Sequence, residues 1–399
     1  MTLLLLALLT TAAGAADFFR PAPDLAAGCD PKLVYPQGRI FPFGGFSLPA
    51  DLVAQAKASG FTMLGPYYGA LPAATKELDL AAQQGLPIAW RVGAPKEMVE
   101  AGQVEAAVAM VREQVQAVMA RPEIAWWYLT PEELRHWRKS EIEFLAQASE
   151  AIRQTDPRRR PVWMYDPNHR DAAALQHTGR HLDLIGKGFY ANISGHRSQR
   201  AWIGWSIEQQ VAAAKAVRPT AAPLAVTEMY ILPAGSDPAR IPAWVRHDVY
   251  ASLVGGAKGV MIWSLARRKG FDHHAPYLEA YQAVARELNG PAQLGQVFLF
   301  GEPRNDLRLT HLNGPEQVEV TLAGESKTTR PAVSWLDTAY GTDRYLFVVN
   351  SAEEPVRLRV EGLPAEAKSA DAMSGDAVAP PGELELAPLE VRGWRFSAG

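Results

Sequence analysis

Short apolar runs alternate with helical patterns over most of this chain, and that alternation constrains the fold more than any other feature. Amphipathic stretches with apolar residues near 3.6 spacing lie at residues 73–83, 99–119 and 277–288. The runs typical of buried strands lie at residues 40–45, 61–64, 87–91, 124–129, 162–165, 182–186, 224–227 and 259–263. Eight such units in roughly 250 residues predict an α/β protein with a closed (β/α)8 TIM barrel rather than an open doubly wound sheet.

From about residue 291 the pattern changes to short strands with period-two character, separated by Gly, Pro and Asp turns. Examples lie at residues 318–322, 344–350, 356–360 and 389–396. They predict a small C-terminal antiparallel β-sandwich at residues 291–399, after a barrel domain at residues 17–290. A chain of 399 residues has room for both domains. The sandwich either packs against the barrel or adds a binding surface of its own, and the sequence leaves both open.

The first 16 residues have the features of a signal peptide. An apolar run at residues 3–9 is followed by small residues, with Ala13-Gly14-Ala15 as a cleavage signal. The run is too short to span a bilayer, so we expect a secreted or periplasmic protein without stable membrane insertion. Cys29 is the only cysteine, which excludes an internal disulfide and a thiolate metal cluster.

Charge and loop motifs narrow the range of partners. The net charge is −3, which gives no sign of a nucleic-acid partner. The chain has neither a G-x-G-x-x-G nor a G-x-x-x-x-G-K-[ST] phosphate loop. Tryptophan is abundant at eleven residues, and some of these faces are expected to serve a ligand rather than the core.

The chemistry of a parallel barrel lies at the carboxyl ends of its strands, so polar residues that follow the predicted strands are the candidates for a site. The stretch at residues 125–137, AWWYLTPEELRHW, is a buried strand that leads into Glu132 and Glu133. The stretch at residues 224–231, LAVTEMYI, is a second strand, which ends in Glu228. The candidates for substrate contact at these strand ends are Tyr67, Tyr68, Arg91, Glu133, Asp166, Asn168, His169, Tyr190, Tyr230 and Trp263. Paired carboxylates, amides and aromatic faces suit the cleavage of a glycosidic bond.

The two glutamate motifs resemble those of the clan A (β/α)8-barrel glycoside hydrolases, although they identify no specific family. That clan carries its acid/base glutamate after strand four and its nucleophile after strand seven. Residues 127–132, WYLTPE, match the first motif in position, with Pro131 where the clan has Asn, and residues 226–228, VTE, match the second. The resemblance implies roles for Glu132 as the acid/base, Glu228 as the nucleophile, Tyr190 as a residue oriented toward that nucleophile, and Trp263 as a sugar platform.

The implied reaction is hydrolysis of a poly- or oligosaccharide with retention, through a glycosyl-enzyme on Glu228. Retention predicts carboxyl groups about 5–5.5 Å apart, whereas about 6.5–9.5 Å would indicate inversion. We expect no metal or organic cofactor. The sugar, the linkage, internal or terminal cleavage and the oligomeric state are left open.

Several alternatives remain at the level of sequence. Glu133 could be the acid, or Pro131 and both glutamates could simply begin a helix, since Pro and acids suit a first helical turn. Asp166 could bind substrate or form a turn before Pro167. A metal-dependent hydrolase could use Asp166, His169, His273 and His274. A carbohydrate-binding barrel without turnover is a further alternative, because Pro131 replaces the clan's Asn.

Overall fold

The computed structural model describes residues 40–67, 75–196, 198–363 and 368–397. The predicted signal peptide, Cys29 and Tyr68 lie outside the described residues.

A curled parallel sheet forms the first domain, as the sequence predicts. Within the described residues its strands are β1 (Phe43–Gly45), β2 (Ile88–Gly93), β3 (Ile124–Thr130), β4 (Val162–Asp166), β5 (Leu184–Phe189), β6 (Ala222–Glu228) and β7 (Val260–Trp263). The order across the sheet is β1-β7-β6-β5-β4-β3-β2, and every pairing is parallel.

The segment at residues 61–65 closes the sheet between β1 and β2. The Thr62 amide donates to the Phe43 carbonyl at 2.9 Å, and the Leu64 amide donates to the Pro87 carbonyl at 2.8 Å. The prediction of a second regular strand here is wrong, because only Leu64 forms a bridge, to Ile88. The next residues are Gly65 and Pro66, and proline has no amide proton for a ladder bond. The position in the barrel is nevertheless filled, and the (β/α)8 prediction is confirmed.

Helices connect the strands and cover the outside of the barrel. They are α1 (Val53–Ala58), α2 (Lys76–Gln84), α3 (Lys96–Glu100), α4 (Val104–Val118), α5 (Lys139–Thr155), α6 (Ala172–Gly179), α7 (Ala201–Val217), α8 (Ile241–Val254) and α9 (His274–Asn289). The prediction of one helix over residues 99–119 is wrong, because the chain leaves the helical conformation at Gly102, whose φ is +75°. Among the described residues, no helix is long and apolar enough to cross a membrane.

Aromatic side chains fill the barrel interior below the carboxyl ends of the strands. Trp163 on β4 contacts Trp126 on β3 with ring centroids 6.4 Å apart, and it contacts Tyr128 at 4.8 Å. Phe46, which follows β1 on the far side of the barrel, contacts both Tyr128 and Trp163 edge to face. These contacts cross the interior, so the barrel is packed solid beneath the site.

A buried ion pair packs against the outer face of β3. Asp156 and Arg160 are both fully buried, and their side chains bond at 2.8 Å. The Trp127 indole also donates to Asp156 at 2.9 Å, and the Arg160 guanidinium lies 4.9 Å from the Trp127 ring centroid. This network joins the end of α5 to the strand that carries Glu132.

The C-terminal region begins with α10 (Leu294–Phe300) and continues as antiparallel sheets. Its strands are β8 (Glu302–Pro303), β9 (Arg308–Asn313), β10 (Gln317–Thr321), β11 (Lys327–Pro331), β12 (Val333–Tyr340), β13 (Asp343–Asn350), β14 (Val356–Glu361), β15 (Lys368–Asp371), β16 (Glu383–Leu386) and β17 (Val391–Ser397). One sheet has the order β15-β17-β13-β12-β8, a second has the order β16-β14-β9, and β10-β11 is a hairpin. The predicted β-sandwich is therefore confirmed.

The side chains of β13 alternate between two cores. Leu346 and Val348 pack inside the sandwich, while Phe347 and Val349 belong to the core shared with the barrel. The Phe347 ring lies 4.5 Å from Phe298 of α10. The five-stranded sheet thus uses one face to cover the other sheet and its opposite face to cover the barrel.

Candidate active site

Glu132 lies directly after β3, where the buried strand meets the barrel mouth. Its side chain is half-buried. Tyr128 lies on the inward face of β3, four residues before Glu132, and its hydroxyl donates to the Glu132 carboxylate. Because Tyr128 is packed against Trp163 and Phe46, this hydrogen bond orients Glu132 from a fixed position.

Glu133 differs from Glu132 in both exposure and backbone conformation. Its side chain is exposed and its φ is +58°, while its amide donates to the Tyr165 carbonyl at 3.1 Å. The interpretation of this segment as a helix start is wrong, because α5 begins only at Lys139. An irregular segment at residues 131–138 instead carries both glutamates.

Glu228 ends β6 and is almost completely buried, with 4% of its surface exposed. Both carboxylate oxygens accept backbone hydrogen bonds from the loop after β5: Oε1 from the Asn192 amide and Oε2 from the Ile193 amide at 3.1 Å. Burial raises the pKa of Glu228 to about 8, although these two amides and the nearby Arg200 act in the opposite direction. The two amides therefore hold the carboxyl group in position, while burial disfavours its ionised form.

A polar network fixes the loop that covers Glu228. The Asn192 side chain donates to the Tyr277 hydroxyl at 2.9 Å and accepts from the Arg200 guanidinium at 2.7 Å. Arg200 is itself buried and paired with Asp248. These residues were not predicted as part of the site, because the burial of Arg200 is visible only in the structure.

Stacked aromatic rings connect the surroundings of the two glutamates. Tyr190 stacks on Tyr165 with centroids 6.0 Å apart and on Trp263 at 5.1 Å. Tyr230 covers the other face of Trp263 at 4.7 Å. Burial raises the pKa of Tyr165, and the negative charges of Glu133 and Glu132 raise it further.

Trp263 lies beside Glu228, because the two residues are partners in the register of β6 and β7. Gly188 makes room for the Tyr165 and Tyr190 rings. A Cβ at this position would lie 2.6 Å from the Tyr165 hydroxyl and 2.8 Å from the Tyr190 ring. Arg268 packs on the Tyr230 ring, with its guanidinium 4.4 Å from the ring centroid. We call Tyr190, Trp263 and Tyr230 the aromatic shelf.

Asp166 does not share this surface. It is fully buried, forms an ion pair with Arg170 and accepts a hydrogen bond from Thr178 of α6 at 3.0 Å. Burial raises the pKa of Asp166 to about 6 against the effect of these partners. Since its neighbour Tyr165 faces the barrel interior, Asp166 faces the helix layer. We therefore leave it out of the proposed binding site, and it serves to hold the β4 loop.

The remaining predicted contacts lie around the mouth. The Asn168 side chain donates to the Ser194 hydroxyl in the loop over Glu228, and His169 is exposed beside it. Arg91 is half-buried on β2. The Tyr67 hydroxyl donates to the Leu48 carbonyl at 2.6 Å, which leaves its ring at the edge of the mouth.

The described residues offer no set of metal ligands for the metal-dependent alternative. In the part of the chain that the structure describes, no group of three or more His, Cys, Asp or Glu side chains could hold a metal ion. Asp166 is engaged by Arg170, and the His274 ring Nε2 lies 2.9 Å from the Leu265 carbonyl oxygen.

Comparisons with known proteins place the fold. No family model matches the chain, and no curated protein matches its sequence. A β-galactosidase from Bacillus circulans sp. alkalophilus is similar in structure, with a TM-score of 0.59 and 9% identity over 90% of this chain and 99% of that chain. A glycoside hydrolase family 5 protein from Bacteroides vulgatus has a TM-score of 0.54 and 15% identity over 90% of this chain and 89% of that one. An α-amylase from Geobacillus thermoleovorans, complexed with acarbose, has a TM-score of 0.53 and 9% identity over 90% of this chain and 99% of that chain. At such identities the likeness concerns the fold, and the resemblance to barrel glycoside hydrolases is confirmed at that level.

Proposed function

We propose that this protein is a glycoside hydrolase that cleaves a poly- or oligosaccharide with Glu132 and Glu228. The observation that carries the proposal is the position of these glutamates at the carboxyl ends of β3 and β6 of one barrel. The stacked rings of Tyr165, Tyr190 and Trp263 lie at the same ends of the neighbouring strands. Carboxyl ends of barrel strands are where such folds carry out chemistry. The fold likeness to named glycoside hydrolases supports the same reaction class.

In the proposed mechanism, Glu132 donates its proton to the oxygen of the leaving sugar, and Glu228 attacks the anomeric carbon as that bond breaks. The product of this step is a glycosyl-enzyme. Glu132, now ionised, then takes a proton from water as the water oxygen attacks the anomeric carbon and releases Glu228. The Tyr128 hydroxyl stabilises the ionised form of Glu132 in the second step.

Glu228 must be ionised before it can attack. Each of its oxygens accepts one backbone hydrogen bond from the loop at residues 192–193, and a second lone pair on each oxygen remains for the bond to the anomeric carbon. Because burial raises the pKa of Glu228 to about 8, the retaining mechanism requires that this carboxyl group release its proton before the attack.

A second candidate function is carbohydrate binding without turnover. The burial of Glu228, and the pKa of about 8 that results, favour a protonated, structural carboxyl at neutral pH. In that case the barrel mouth binds a glycan and leaves it intact.

The test is hydrolysis of a panel of aryl glycosides and polysaccharides by the wild type and by the Glu132→Gln, Glu228→Gln and Glu133→Gln variants, each checked for folding. We expect Glu228→Gln to lose activity on every substrate. Glu133→Gln separates the two candidate acids, because it should keep activity if Glu132 donates the proton. Glu132→Gln should lose about 10²–10⁴-fold on natural linkages and much less on glycosides of acidic phenols, because such leaving groups need little protonation.

Azide distinguishes the retaining mechanism from inversion. Added to Glu132→Gln, it should attack the glycosyl-enzyme and yield a glycosyl azide with the configuration of the substrate. Full activity of Glu132→Gln on natural linkages would contradict the assignment of the acid. Binding of a glycan with no hydrolysis by the wild type would support the second candidate.

Export belongs to the same proposal. The apolar run at residues 3–9 and the small residues after it support removal of a leader and a secreted or periplasmic location. Amino-terminal sequencing of the protein recovered from its host should give a start close to residue 17. An intact Met1 on the recovered protein would contradict it.

A further inference from the structure

Buried polar side chains lead from the C-terminal region toward Glu228. Ser351 follows β13, and its hydroxyl lies 2.9 Å from the ring Nε2 of His247 on α8. The His247 Nδ1 atom lies 2.9 Å from one carboxylate oxygen of Asp248, and the other oxygen pairs with Arg200. None of these four residues is more than 6% exposed, so they act through their neighbours and not on a substrate.

The last two contacts reach the candidate nucleophile. The Arg200 guanidinium donates to the Asn192 side-chain oxygen at 2.7 Å, and the Asn192 amide donates to the Glu228 carboxylate. Arg200 also packs on the Trp244 ring, 4.6 Å from its centroid, which restrains the guanidinium further. The contacts therefore continue without a gap, and we name them the Ser351 network, formed by Ser351, His247, Asp248, Arg200 and Asn192.

The charges in the Ser351 network fix the direction of its hydrogen bonds. Asp248 accepts as a carboxylate, so the Nδ1 atom of His247 carries the proton between them. When the ring is neutral, Nε2 then accepts from the Ser351 hydroxyl. Loss of that hydroxyl would leave Nε2 buried without this donor, which is costly and releases the ring from its alignment with Asp248.

The C-terminal region holds Ser351 in place. The Ser351 amide donates to the Ala332 carbonyl at 2.7 Å. Asn350, the residue before it, is fully buried, and its side chain donates to the carbonyls of Glu354 and Ala387 at 2.9 Å each. A fixed hydroxyl at this position restrains the His247 ring from the side of the sandwich.

Two charges of the Ser351 network act on Glu228. Beside burial and the two loop amides, the positive charge of Arg200 lowers the pKa of Glu228 and the negative charge of Asp248 raises it. Tyr277 and Tyr281 of α9 also lie near this carboxyl group, but burial raises the pKa of both hydroxyls, so both stay neutral. The positions of Arg200 and Asp248 therefore influence how readily Glu228 releases its proton.

We propose that Ser351 is a positioning residue for Glu228, and that through His247 the C-terminal region controls the ionisation of this carboxyl group. The inference rests on the proposed function, in which Glu228 must release its proton before it attacks, and deepens it. It assigns the C-terminal region a part in the reaction that needs no contact with the substrate.

Removal of the Ser351 hydroxyl should raise the pKa of Glu228. A His247 ring that is no longer aligned donates less well to Asp248, and Asp248 then draws Arg200 more strongly to itself. The bond from Arg200 to the loop weakens, and so does the effect of its charge on Glu228. Both changes disfavour the ionised carboxyl group.

The test follows the protonation of Glu228 directly, by NMR of the protein labelled isotopically at its glutamate carboxyl carbons. The Glu228 signal is the one that disappears in Glu228→Gln, and in the wild type it should titrate with a midpoint of about 8. Ser351→Ala should raise this midpoint by about half a unit or more. Ser252→Ala is the matched control, because it deletes a buried hydroxyl of α8 that donates only to the backbone carbonyl of Asp248. Its midpoint should stay within about 0.2 unit of the wild type.

A second variant tests the route of the effect. His247→Phe, which removes both ring nitrogens, should raise the midpoint in the same direction, and the double variant with Ser351→Ala should match His247→Phe alone. An unchanged midpoint in Ser351→Ala, even with a loss of stability in urea, would overturn the inference, as would an equal rise in Ser252→Ala. Additive shifts in the double variant would also overturn it, because Ser351 would then act independently of His247.

Hydrolysis assays on the same variants separate this inference from the proposed function, since the titration does not depend on turnover. A raised midpoint in Ser351→Ala with no hydrolysis by the wild type would support the Ser351 network and contradict the proposed reaction. Hydrolysis that requires Glu228, with an unchanged midpoint in Ser351→Ala, would support the reaction and overturn the network.

Discussion

Replacement of Glu228 by Gln should change how folding stability depends on pH. Burial raises the pKa of Glu228 to about 8 from an ordinary value of 4.5. Between these two values the folded state keeps the proton while the unfolded chain has released it. The wild-type free energy of unfolding therefore loses a contribution from this group as pH rises through 4.5 to 8, and the loss is complete above the folded pKa.

The magnitude follows from proton linkage. Each pH unit in which only the folded state holds the proton costs about 1.4 kcal/mol. Between pH 5 and 7.5 the free energy of unfolding of the wild type should thus fall by about 3 kcal/mol on account of Glu228. Gln has no proton to release, so the stability of Glu228→Gln relative to the wild type should rise by the same amount across that range.

Urea unfolding followed by tryptophan fluorescence, repeated at half-unit steps of pH, gives the required difference. Subtracting the wild-type curve removes the contribution of all other titrating groups. Glu133→Gln, which deletes an exposed carboxylate on the same rim, is the control for loss of one negative charge. A difference between Glu228→Gln and wild type that stays flat within about 0.5 kcal/mol from pH 5 to 7.5 would refute the reasoning, because the two backbone amides would then outweigh burial.

Three further substitutions test other parts of the structure. Asp156→Ala should cost about 3–5 kcal/mol in urea unfolding, because it leaves the Arg160 guanidinium buried without its partner, and a loss below about 1 kcal/mol would contradict this. Tyr128→Phe should lower kcat/KM on the best glycan by about tenfold, because it removes the donor to Glu132 but keeps the packed ring; unchanged kinetics would remove Tyr128 from the site. Gln199→Ala should speed hydrogen exchange of the hairpin amide that it binds by about tenfold, and equal exchange would mean that other contacts hold the hairpin.

The barrel could be predicted because each strand is buried on both faces and therefore forms a continuous apolar run. β3 is the clearest case, with every residue from Ile124 to Leu129 buried. The failures are local and have backbone causes. Pro66 follows the segment that closes the sheet, and Gly102 interrupts a helical pattern whose apolar spacing continues on either side.

The candidate site could be proposed from the sequence only as far as strand ends identify it. Glu132, Glu228, Tyr190 and Trp263 follow from the rule that chemistry gathers at the carboxyl ends of barrel strands. Which strand-end residues face inward depends on register, and Asp166 faces the helices because its neighbour takes the interior position. The groups that bind Glu228 are backbone amides, which any residue type supplies, so composition carries no sign of them.

The loop over Glu228 also explains why the C-terminal region matters to the site. Asn192 supplies one amide to Glu228, and its side chain is held by Arg200. Gln199, the residue before Arg200, accepts a hydrogen bond from the Thr321 amide at 2.9 Å, in the hairpin of β10 and β11. That hairpin also pairs Arg330 with Glu208 on α7. The C-terminal region therefore contacts the barrel close to the loop whose amides bind Glu228, in addition to covering the barrel wall.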